Sequence, residues 1–563
     1  MSEPTELQTQ TTCSKPILLA AKVAVFLLLA LGVTFLCYFT IPEVRQLIFD
    51  KSDGTVPDVP LLCSLVTIFA LTLFFIWVST AKFVPRFAWL FFLLLPSAMA
   101  WYLGFKYKVV ANEMFFADVL ATTGQEASGF FGVQVALFGL VFVLLILLLA
   151  FAAGRLKLEL IPFKSKPLRG GANIVFAVLV FSSFYFYVMP TMVYYYALRN
   201  LWRAEVDMIG FYNGFAKLEE IDDHSRIEGK LPEDTVLLLH IGESVRGDRS
   251  PLNGYERDTT PRLLEEQQKR RLFNFPKAIS FANFTRQSVM GIMTSASIKD
   301  PVVRGRNITF TLRQRGVYNY AFFSSMNGHE GTDRFNVITD AFTAKAEKRF
   351  YSAGFAHTLL PQFKDFFAGD ARSPMFILYY GEGSHAPFDK YDTDRFSVFM
   401  PVNFNSNQDS STGNAYDNTV VCLDDFIGNV INMLQDKSAV YIYASDHGEV
   451  MGENGKWGRS NMNGMEVPCM RHVLFFIWTS DKFRSKEPYK SANLAVNAKK
   501  LSAVSHDHIY HTILGAFNIR NIYYDSSLDL FSADAKPFVG PFPEDLPPHT
   551  RLPRTLFSDS FSK

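Results

Sequence analysis

The run Leu237-Leu-Leu-His-Ile-Gly242-Glu243-Ser244 is a short apolar segment that ends in a glycine and an acidic residue. A second run of the same kind, Tyr443-Ala-Ser-Asp446-His447-Gly448-Glu449, follows much later in the chain. Taken alone, each would be an ordinary capped strand end. In an open α/β sheet, however, ligands collect in the crevice beyond the carboxyl ends of the strands. The two runs together therefore predict that their acidic and imidazole groups converge on one site.

The chain from residue 232 to 563 alternates short apolar or β-branched runs with mixed polar segments, which is typical of an α/β domain. The predicted strands are Thr235–Ile241, Tyr318–Phe323, Met375–Tyr380, Ala439–Ala444 and His472–Trp478, and a helix is predicted over Asn418–Leu434. A domain of this length can bury a substantial core. The proline-rich tail after residue 535 is predicted to be an extended surface segment.

Glu243, Asp446 and His447 would offer carboxylate oxygens and one imidazole nitrogen, a donor set that suits zinc or manganese. The segment around Thr285 begins polar and turns apolar, as a loop entering a buried helix does. The positive end of a helix dipole favours both this hydroxyl and a bound phosphate. Beside a divalent cation a threonine hydroxyl can attack phosphorus. Without a cation, Thr285 would be an ordinary helix cap.

Two histidines, His385 and His472, adjoin further apolar runs that are predicted strands. Each is compatible with a purely structural role. Beside a metal site, either could hold phosphate oxygens or deliver a proton to a leaving group.

The first 196 residues are predicted to form a transmembrane domain. Hydrophobic residues make up 49% and aromatic residues 15% of the whole chain, which is high for a soluble protein. Five apolar runs are each long enough to cross about 30 Å of hydrocarbon, and they lie near residues 17–40, 59–80, 87–105, 134–153 and 172–196. Basic loops after the second and fourth runs predict a cytoplasmic N-terminus and an exported α/β domain. That domain would face the periplasm of a Gram-negative cell, or the exterior of a cell with one membrane.

Two segments connect these parts. An interfacial helix is predicted over about residues 112–127, where Asp118, Thr122 and Glu126 stand at i, i+4 and i+8 and share one face. A solvated helix face explains that spacing as well as a binding site does. Residues 197–231 are predicted to form a bridging helix and a linker.

The overall charge argues against nucleic acid as a partner. The 55 basic and 54 acidic residues leave a formal charge of +1, so no net field favours a polyanion. Five cysteines are too few for a disulfide framework. Cys422 and Cys469 would pair only if their Cα atoms came within bridging distance.

Together these segments resemble the phosphoethanolamine transferases of Gram-negative bacteria, the family that includes the lipid A modifying enzymes and the mobile colistin-resistance proteins. The resemblance covers nearly the whole chain. It is carried by Gly242-Glu243-Ser244-Val-Arg246, Gly254-Tyr255-Glu-Arg257-Asp-Thr259-Thr-Pro261, Thr285 with Ser288 and Val289, Gly383 to Pro387, Tyr416-Asp417-Asn418-Thr419, Asp446 to Glu449, His472-Val-Leu-Phe-Phe-Ile-Trp478, and Ser505-His506-Asp507 with His511-Thr512.

The resemblance implies five transmembrane helices, followed by a periplasmic sulfatase-like α/β domain of the alkaline phosphatase superfamily with a mostly parallel central sheet. It implies that zinc is held by Glu243, Thr285, Asp446 and His447, with manganese as the alternative metal. Thr285 is then the nucleophile.

The resemblance also implies the substrates and their contacts. Phosphoethanolamine would pass from phosphatidylethanolamine, through a covalent phospho-threonine, to lipopolysaccharide (lipid A or a core sugar) or to another envelope glycan. His385 and His472 would contact substrate, and the interfacial helix would contact the donor headgroup through Asp118, Thr122 and Glu126. The enzyme would be a monomer in the inner membrane.

Some positions depart from the family pattern. The cysteines that usually bracket the nucleophile are missing, and Met290 replaces a usual proline. The histidine that commonly follows Asp-His-Gly-Glu by about a dozen residues is replaced near Arg459. A lysine often found in the family is not evident around Asn327-Gly-His329-Glu330. The missing cysteines bring the chain closer to branches that act on core sugars or other glycans.

Four other functions can be weighed against the sequence. A glycerol-phosphate transferase or a phosphodiester hydrolase would use the same fold. A sulfatase would need a Cys/Ser-x-Pro-x-Arg motif, which Thr285-Arg-Gln-Ser288 lacks. A transporter or receptor would be expected to carry charges within its spans, and the five runs contain almost none.

Overall fold

The structure is a computed structural model. It describes residues 87, 91, 133–156, 222–325, 346–352, 356–369 and 373–540, except for 382, 387, 389–392, 403–408, 452, 454–456 and 459–467. The chain divides into two compact units, and the helix at 133–156 and the α/β domain belong to different units.

The described elements alternate strands and helices along most of the α/β domain. The strands are β1 (Arg226–Ile227), β2 (Thr235–Gly242), β3 (Leu272–Asn274), β4 (Ala278–Ile279), β5 (Tyr318–Ser324), β6 (Lys348–Tyr351), β7 (Met375–Gly381), β8 (Ser438–Ser445), β9 (Val450–Met451), β10 (Trp457–Gly458), β11 (His472–Val473), β12 (Phe475–Thr479), β13 (Val504–Ser505) and β14 (Ile519–Arg520). The helices are α1 (Val133–Leu156), α2 (Pro261–Gln268), α3 (Thr285–Met293), α4 (Ile308–Gln314), α5 (Leu360–Ala368), α6 (Thr393–Phe396), α7 (Asp409–Leu434), α8 (Asp481–Lys486), α9 (Pro488–Lys500) and α10 (Asp507–Ala516).

The central sheet has seven strands in the order β3-β12-β8-β2-β7-β5-β6. The five strands from β8 to β6 are mutually parallel, and β12 and β3 add an antiparallel edge. The predicted mostly parallel sheet is therefore confirmed. Two of the central strands, β2 and β8, are adjacent and in register, so their carboxyl ends lie side by side.

Helices cover both faces of this sheet because its central strands are apolar on both sides. Along β2, Leu237, Leu239 and Ile241 belong to one buried cluster, which includes residues of α3, α4 and α10. Val236 and Leu238 belong to a second cluster, which includes residues of α2, α5 and α7. This alternation follows from the two-residue period of a strand and gives a three-layer α/β/α domain.

Four predicted strands match β2, β5, β7 and β8 to within one residue at each end. The fifth, His472–Trp478, is divided: β11 pairs with β4 in a small sheet, and β12 joins the central sheet. The division falls at Leu474, whose backbone N–H donates to the carbonyl of Val245, 3.2 Å away. The edge strands β3 and β6 were not predicted, and α7 begins nine residues before the predicted start at Asn418.

Helix α1 covers the predicted fourth span at 134–153. Among its side chains that the structure describes, the strongly exposed ones are apolar and include Leu140, Val141, Leu148 and Phe151. Among the described residues, no helix counts as both long enough and apolar enough to cross a membrane. The other four predicted spans lie essentially outside the described residues, apart from positions 87 and 91, and the five-helix domain stays a prediction.

The described end of the predicted linker packs with the α/β domain. β1 pairs with β14, and Asp223 is buried with its carboxylate bonded to the hydroxyl of Thr311. The α/β domain therefore includes residues before position 232.

Helix α10 carries a buried histidine that predicts an acid-sensitive fold. His511 accepts the backbone N–H of Asp525 at Nδ1 over 3.1 Å, and burial lowers its pKa from 6.5 to about 4 despite the nearby Asp525 carboxylate. A depressed folded-state pKa gives stability that is present above pH 6.5 and is lost as the pH falls toward 4. Between pH 7 and pH 4 the free energy of unfolding should fall by about 3 kcal/mol less in His511→Asn than in the wild type. Urea unfolding followed by tryptophan fluorescence measures this difference. Identical pH dependence in both proteins would contradict this assignment.

Candidate active site

The two runs that contain Glu243 and Asp446 converge as predicted. β2 ends at Gly242 and is followed by Glu243, while β8 ends at Ser445 and is followed by Asp446. The register pairs Gly242 with Ser445, so both ligand candidates leave the sheet at the same edge. The Asp446 backbone N–H donates to the carbonyl of Gly242 over 2.8 Å, which fixes the second turn against the first.

The nucleophile candidate, Thr285, lies at the same place. It is the first residue of α3, and Phe284, not Thr285, occupies the cap position. Its Oγ1 lies 3.1 Å from Oε2 and 3.3 Å from Oε1 of Glu243, and 3.2 Å from Nε2 of His447. Thr285 therefore contacts the predicted metal ligands and does not act as an ordinary helix cap.

Glu243, Asp446 and His447 fit a divalent cation. One donor atom from each lies within 4.8 Å of the others, and all three residues are buried. His447 Nδ1 is 2.8 Å from the carbonyl of Gly448, so Nδ1 carries the proton and the lone pair of Nε2 faces the carboxylates. Among the described residues, no second group of three such donors is this compact.

The electrostatics of this triad also fit a cation. Asp446 Oδ1 accepts the backbone N–H groups of Ser244 (3.0 Å) and His447 (2.7 Å). Its other oxygen, Oδ2, has no hydrogen-bond partner among the described residues and lies 3.4 Å from His447 Nε2. Burial and the adjacent Glu243 carboxylate raise the pKa of Asp446. A cation between the carboxylates would offset both effects.

Glu243 is held by groups that the sequence did not indicate. The Tyr380 hydroxyl, at the end of β7, donates to Oε2 over 2.7 Å, and the Ser244 hydroxyl donates to Oε1 over 3.0 Å. The backbone carbonyl of Glu243 accepts the N–H of Ser384 over 2.8 Å. Hydrogen bonds of this kind orient a ligand and are as important to a metal site as the ligand itself.

The turn after Glu243 is strained, because Ser244 has φ of 61°. Tyr416 stabilises it: its hydroxyl donates to the carbonyl of Ser244 over 2.6 Å and accepts the N–H of Arg246 over 2.8 Å. Thr419, one turn further along α7, donates to the hydroxyl of Ser384 over 2.6 Å. The stretch Tyr416-Asp417-Asn418-Thr419, which had no assigned role, therefore supports the Glu243 turn.

Comparisons with known proteins identify the family of this chain. The family model described as Sulfatase matches residues 235–519, which is half of the chain. The chain belongs to the sulfatase family. A second model, described as Phosphoethanolamine transferase EptA/EptB, matches residues 66–205, so the predicted resemblance to phosphoethanolamine transferases is confirmed.

Curated relatives of this sulfatase-family chain include two named transferases. Phosphatidylethanolamine transferase Mcr-1 of Escherichia coli is 25% identical over 561 residues, which cover 90% of this chain and 95% of the relative. Phosphoethanolamine transferase EptA of Salmonella typhimurium is 27% identical over 315 residues, which cover 52% of this chain and 55% of the relative. The second match thus spans about half of that relative's length.

A solved structure shares the fold of this family member. It is the integral membrane protein lipooligosaccharide phosphoethanolamine transferase A (EptA) from Neisseria meningitidis. Its TM-score is 0.63 at 21% identity, with 91% of this chain and 99% of that chain covered.

The two histidines predicted to contact substrate lie outside the cluster of Glu243, Asp446 and His447. His385 is buried in the loop after β7, and its Nδ1 lies 2.6 Å from the carbonyl of Ala386. His472 lies on β11 with its Nε2 2.8 Å from the carbonyl of Pro276. Their substrate roles stay predictions. Asp118, Thr122 and Glu126 lie outside the described residues, as do Arg459 and the segment 327–330.

The two cysteines of the catalytic domain do not pair. Cys422 and Cys469 are both buried, and neither takes part in a disulfide. Burial raises the pKa of the Cys469 thiol to about 12, so it is an unreactive thiol at neutral pH.

Proposed function

We propose that this protein transfers phosphoethanolamine from phosphatidylethanolamine to lipopolysaccharide, at lipid A or a core sugar, or to another envelope glycan. One observation carries the proposal: the Thr285 hydroxyl lies 3.1 to 3.3 Å from Glu243 and His447 at the N-terminus of α3. The amides of that helix end favour the phosphate of the donor. The named transferases among the relatives support the choice of phosphoethanolamine.

The reaction would proceed in two displacements at phosphorus. Thr285 Oγ1 forms a bond to the phosphorus of the donor, and the bond from phosphorus to the diacylglycerol oxygen breaks. The proton lost by Thr285 balances the proton that diacylglycerol takes up. An acceptor oxygen then attacks the phospho-threonine and releases Thr285, with a second proton passing from the acceptor back to the threonine.

The cation is proposed to be zinc, with manganese as the alternative, held by Glu243, Asp446, His447 and Thr285. The mixed carboxylate and imidazole set supports this choice. When bound, the metal would lower the pKa of the threonine hydroxyl and offset the negative charge of the phosphoryl group. The protein's own part is to hold the hydroxyl in line: Tyr380 and Ser244 fix Glu243, and Gly448 fixes the His447 ring.

The membrane arrangement is part of the proposal. Five transmembrane helices in residues 1–196 would anchor the protein in the inner membrane and place the α/β domain in the periplasm. The protein would act as a monomer. The interfacial helix would contact the donor headgroup through Asp118, Thr122 and Glu126, and His385 and His472 would contact substrate. The match of residues 66–205 to the EptA/EptB model supports this arrangement.

The alternatives differ in the donor, so the decisive experiment varies it. The purified full-length protein, loaded with zinc in detergent, is incubated with phosphatidylethanolamine or with phosphatidylglycerol and weighed by intact-mass spectrometry. We expect a gain of one phosphoethanolamine with the first donor and none with the second. A gain of glycerol phosphate with the second donor would identify a glycerol-phosphate transferase. Release of free phosphoethanolamine in place of transfer, when lipopolysaccharide is added as acceptor, would identify a hydrolase. Lipopolysaccharide masses with and without the gene identify the acceptor.

The bond from Tyr380 to Glu243 predicts a change in metal affinity. Tyr380→Phe removes the donor to Oε2 and leaves the ring, so we expect zinc to bind about 10-fold to 100-fold more weakly in competition with a fluorescent chelator. Tyr379→Phe is the matched control, because that hydroxyl contacts Ser325 and not a ligand candidate. Equal zinc affinities in the Tyr380 variant and the wild type would show that this hydrogen bond does not support a metal site.

A further inference from the structure

The backbone just before the nucleophile helix is bound by buried side chains from elsewhere in the chain. The Arg471 guanidinium donates to the carbonyl of Ser280 from Nε (3.0 Å) and Nη2 (2.7 Å), and to that of Phe281 over 3.3 Å. His506 Nδ1 accepts the N–H of Phe281 over 3.0 Å. Ser288 Oγ accepts the N–H of Ala282 over 3.1 Å and donates to its carbonyl over 3.0 Å.

His506 also reaches the metal-ligand strand. Because Nδ1 accepts a hydrogen bond, the proton is on Nε2, which donates to the carbonyl of Ser445 over 2.9 Å. His506 is fully buried, and this burial lowers its pKa to about 3, so the ring is neutral and keeps this tautomer. One imidazole therefore joins Phe281, four residues before Thr285, to Ser445, the residue before Asp446.

Arg471 adds a second tie to the same segment. Its guanidinium is buried, and three of its contacts are with two successive carbonyls of the nucleophile loop. Its own backbone carbonyl accepts the N–H of Ser280 over 2.9 Å. Burying a charge is costly unless hydrogen bonds satisfy it, and here three of those bonds are made to the loop that carries the nucleophile.

We propose that Arg471 and His506 are positioning residues that clamp residues 280 and 281, so that Thr285 Oγ1 stays within bonding distance of Glu243 and His447. The proposal rests on the proposed phosphoryl transfer, since it assigns the clamp to that reaction. These hydrogen bonds of Arg471 and His506 are all with backbone groups, so both residues act on Thr285 through the backbone. A shift of about 1 Å at the hydroxyl would slow the reaction about 100-fold, because attack depends steeply on alignment.

The test uses His506→Ala and Arg471→Lys in the zinc-loaded full-length protein in detergent. His508→Ala is the matched control: His508 is equally buried two residues away, but its ring contacts Ser505 and the carbonyl of Lys536. We expect both clamp variants to phosphorylate Thr285 about 100-fold more slowly, with KM unchanged. Imidazole added to His506→Ala should restore part of the rate.

The control separates positioning from a general loss of stability. His508→Ala should lower the melting temperature by a similar amount and leave the phosphorylation rate unchanged. Slowing in the His508 variant that equals the slowing in the clamp variants, at matched melting temperature, would overturn the proposal. If one clamp variant fails to fold, the other decides the outcome.

A second measurement keeps the clamp separate from the proposed function. Hydrogen exchange read by mass spectrometry should show the amide of Phe281, which bonds His506, exchanging about tenfold faster in the clamp variants than in His508→Ala. If the wild type forms no phospho-threonine from any donor, the proposed function fails while this exchange difference still tests the clamp. Unchanged exchange at the Phe281 amide would overturn the clamp itself.

Discussion

Thr285→Ala should form no covalent phosphoethanolamine adduct and should lose transfer activity by at least about 10³-fold. The Thr285 hydroxyl alone among the described hydroxyl groups contacts both Glu243 and His447. Removing it leaves Glu243, Asp446, His447 and the fold intact, because the alanine side chain still fits the first turn of α3. Intact-mass spectrometry after incubation with phosphatidylethanolamine measures the adduct, and acceptor labelling measures the transfer.

Two further variants make this result specific. Thr285→Ser keeps the hydroxyl and should retain activity within about tenfold of the wild type. Ser288→Ala removes the next hydroxyl on the same helix, whose contacts are with the backbone of Ala282, and should still form the adduct. An adduct of undiminished yield in Thr285→Ala would show that another residue is the nucleophile.

The fold was predictable where the pattern is local. β2, β7 and β8 are buried on both faces and stand out as apolar runs. These three strands and β5 were located to within a residue. The edge strands β3 and β6 are short and were missed. The run His472–Trp478 is apolar throughout, yet it serves two sheets, and no local pattern indicates where one pairing ends and the other begins.

The candidate site likewise contains residues that the sequence predicted and residues that it did not. Glu243, Asp446 and His447 were predicted because each directly follows a recognisable strand, and parallel neighbours end at one edge. Tyr380, Tyr416 and His506 were not, because their partners are 137, 172 and 225 residues away in the chain. Spacing within a segment carries no information about such contacts. The supporting residues of a site therefore need the fold, whereas the ligand candidates did not.

Asp446→Asn should have opposite effects on stability with and without metal. In the metal-free protein the change removes one of two buried carboxylates that lie within the same 4.8 Å cluster, and Oδ2 loses no hydrogen bond. We therefore expect the metal-free variant to be more stable than the wild type by about 1 to 2 kcal/mol. Zinc at about 100 times its Kd should stabilise the wild type by about 2.7 kcal/mol and the variant far less.

A second buried aspartate provides the control for this reversal. Asp417 is also fully buried, but Arg249, Arg257 and Tyr255 surround its carboxylate with donors. Asp417→Asn should therefore destabilise the protein in the presence of both EDTA and zinc, because it leaves two arginines without their carboxylate. Melting curves of the three proteins under the two conditions separate the cases. If zinc raised the melting temperature of Asp446→Asn as much as that of the wild type, Asp446 would not be a ligand. In the metal-free protein its charge repels Glu243, so its stabilising role depends on a bound cation.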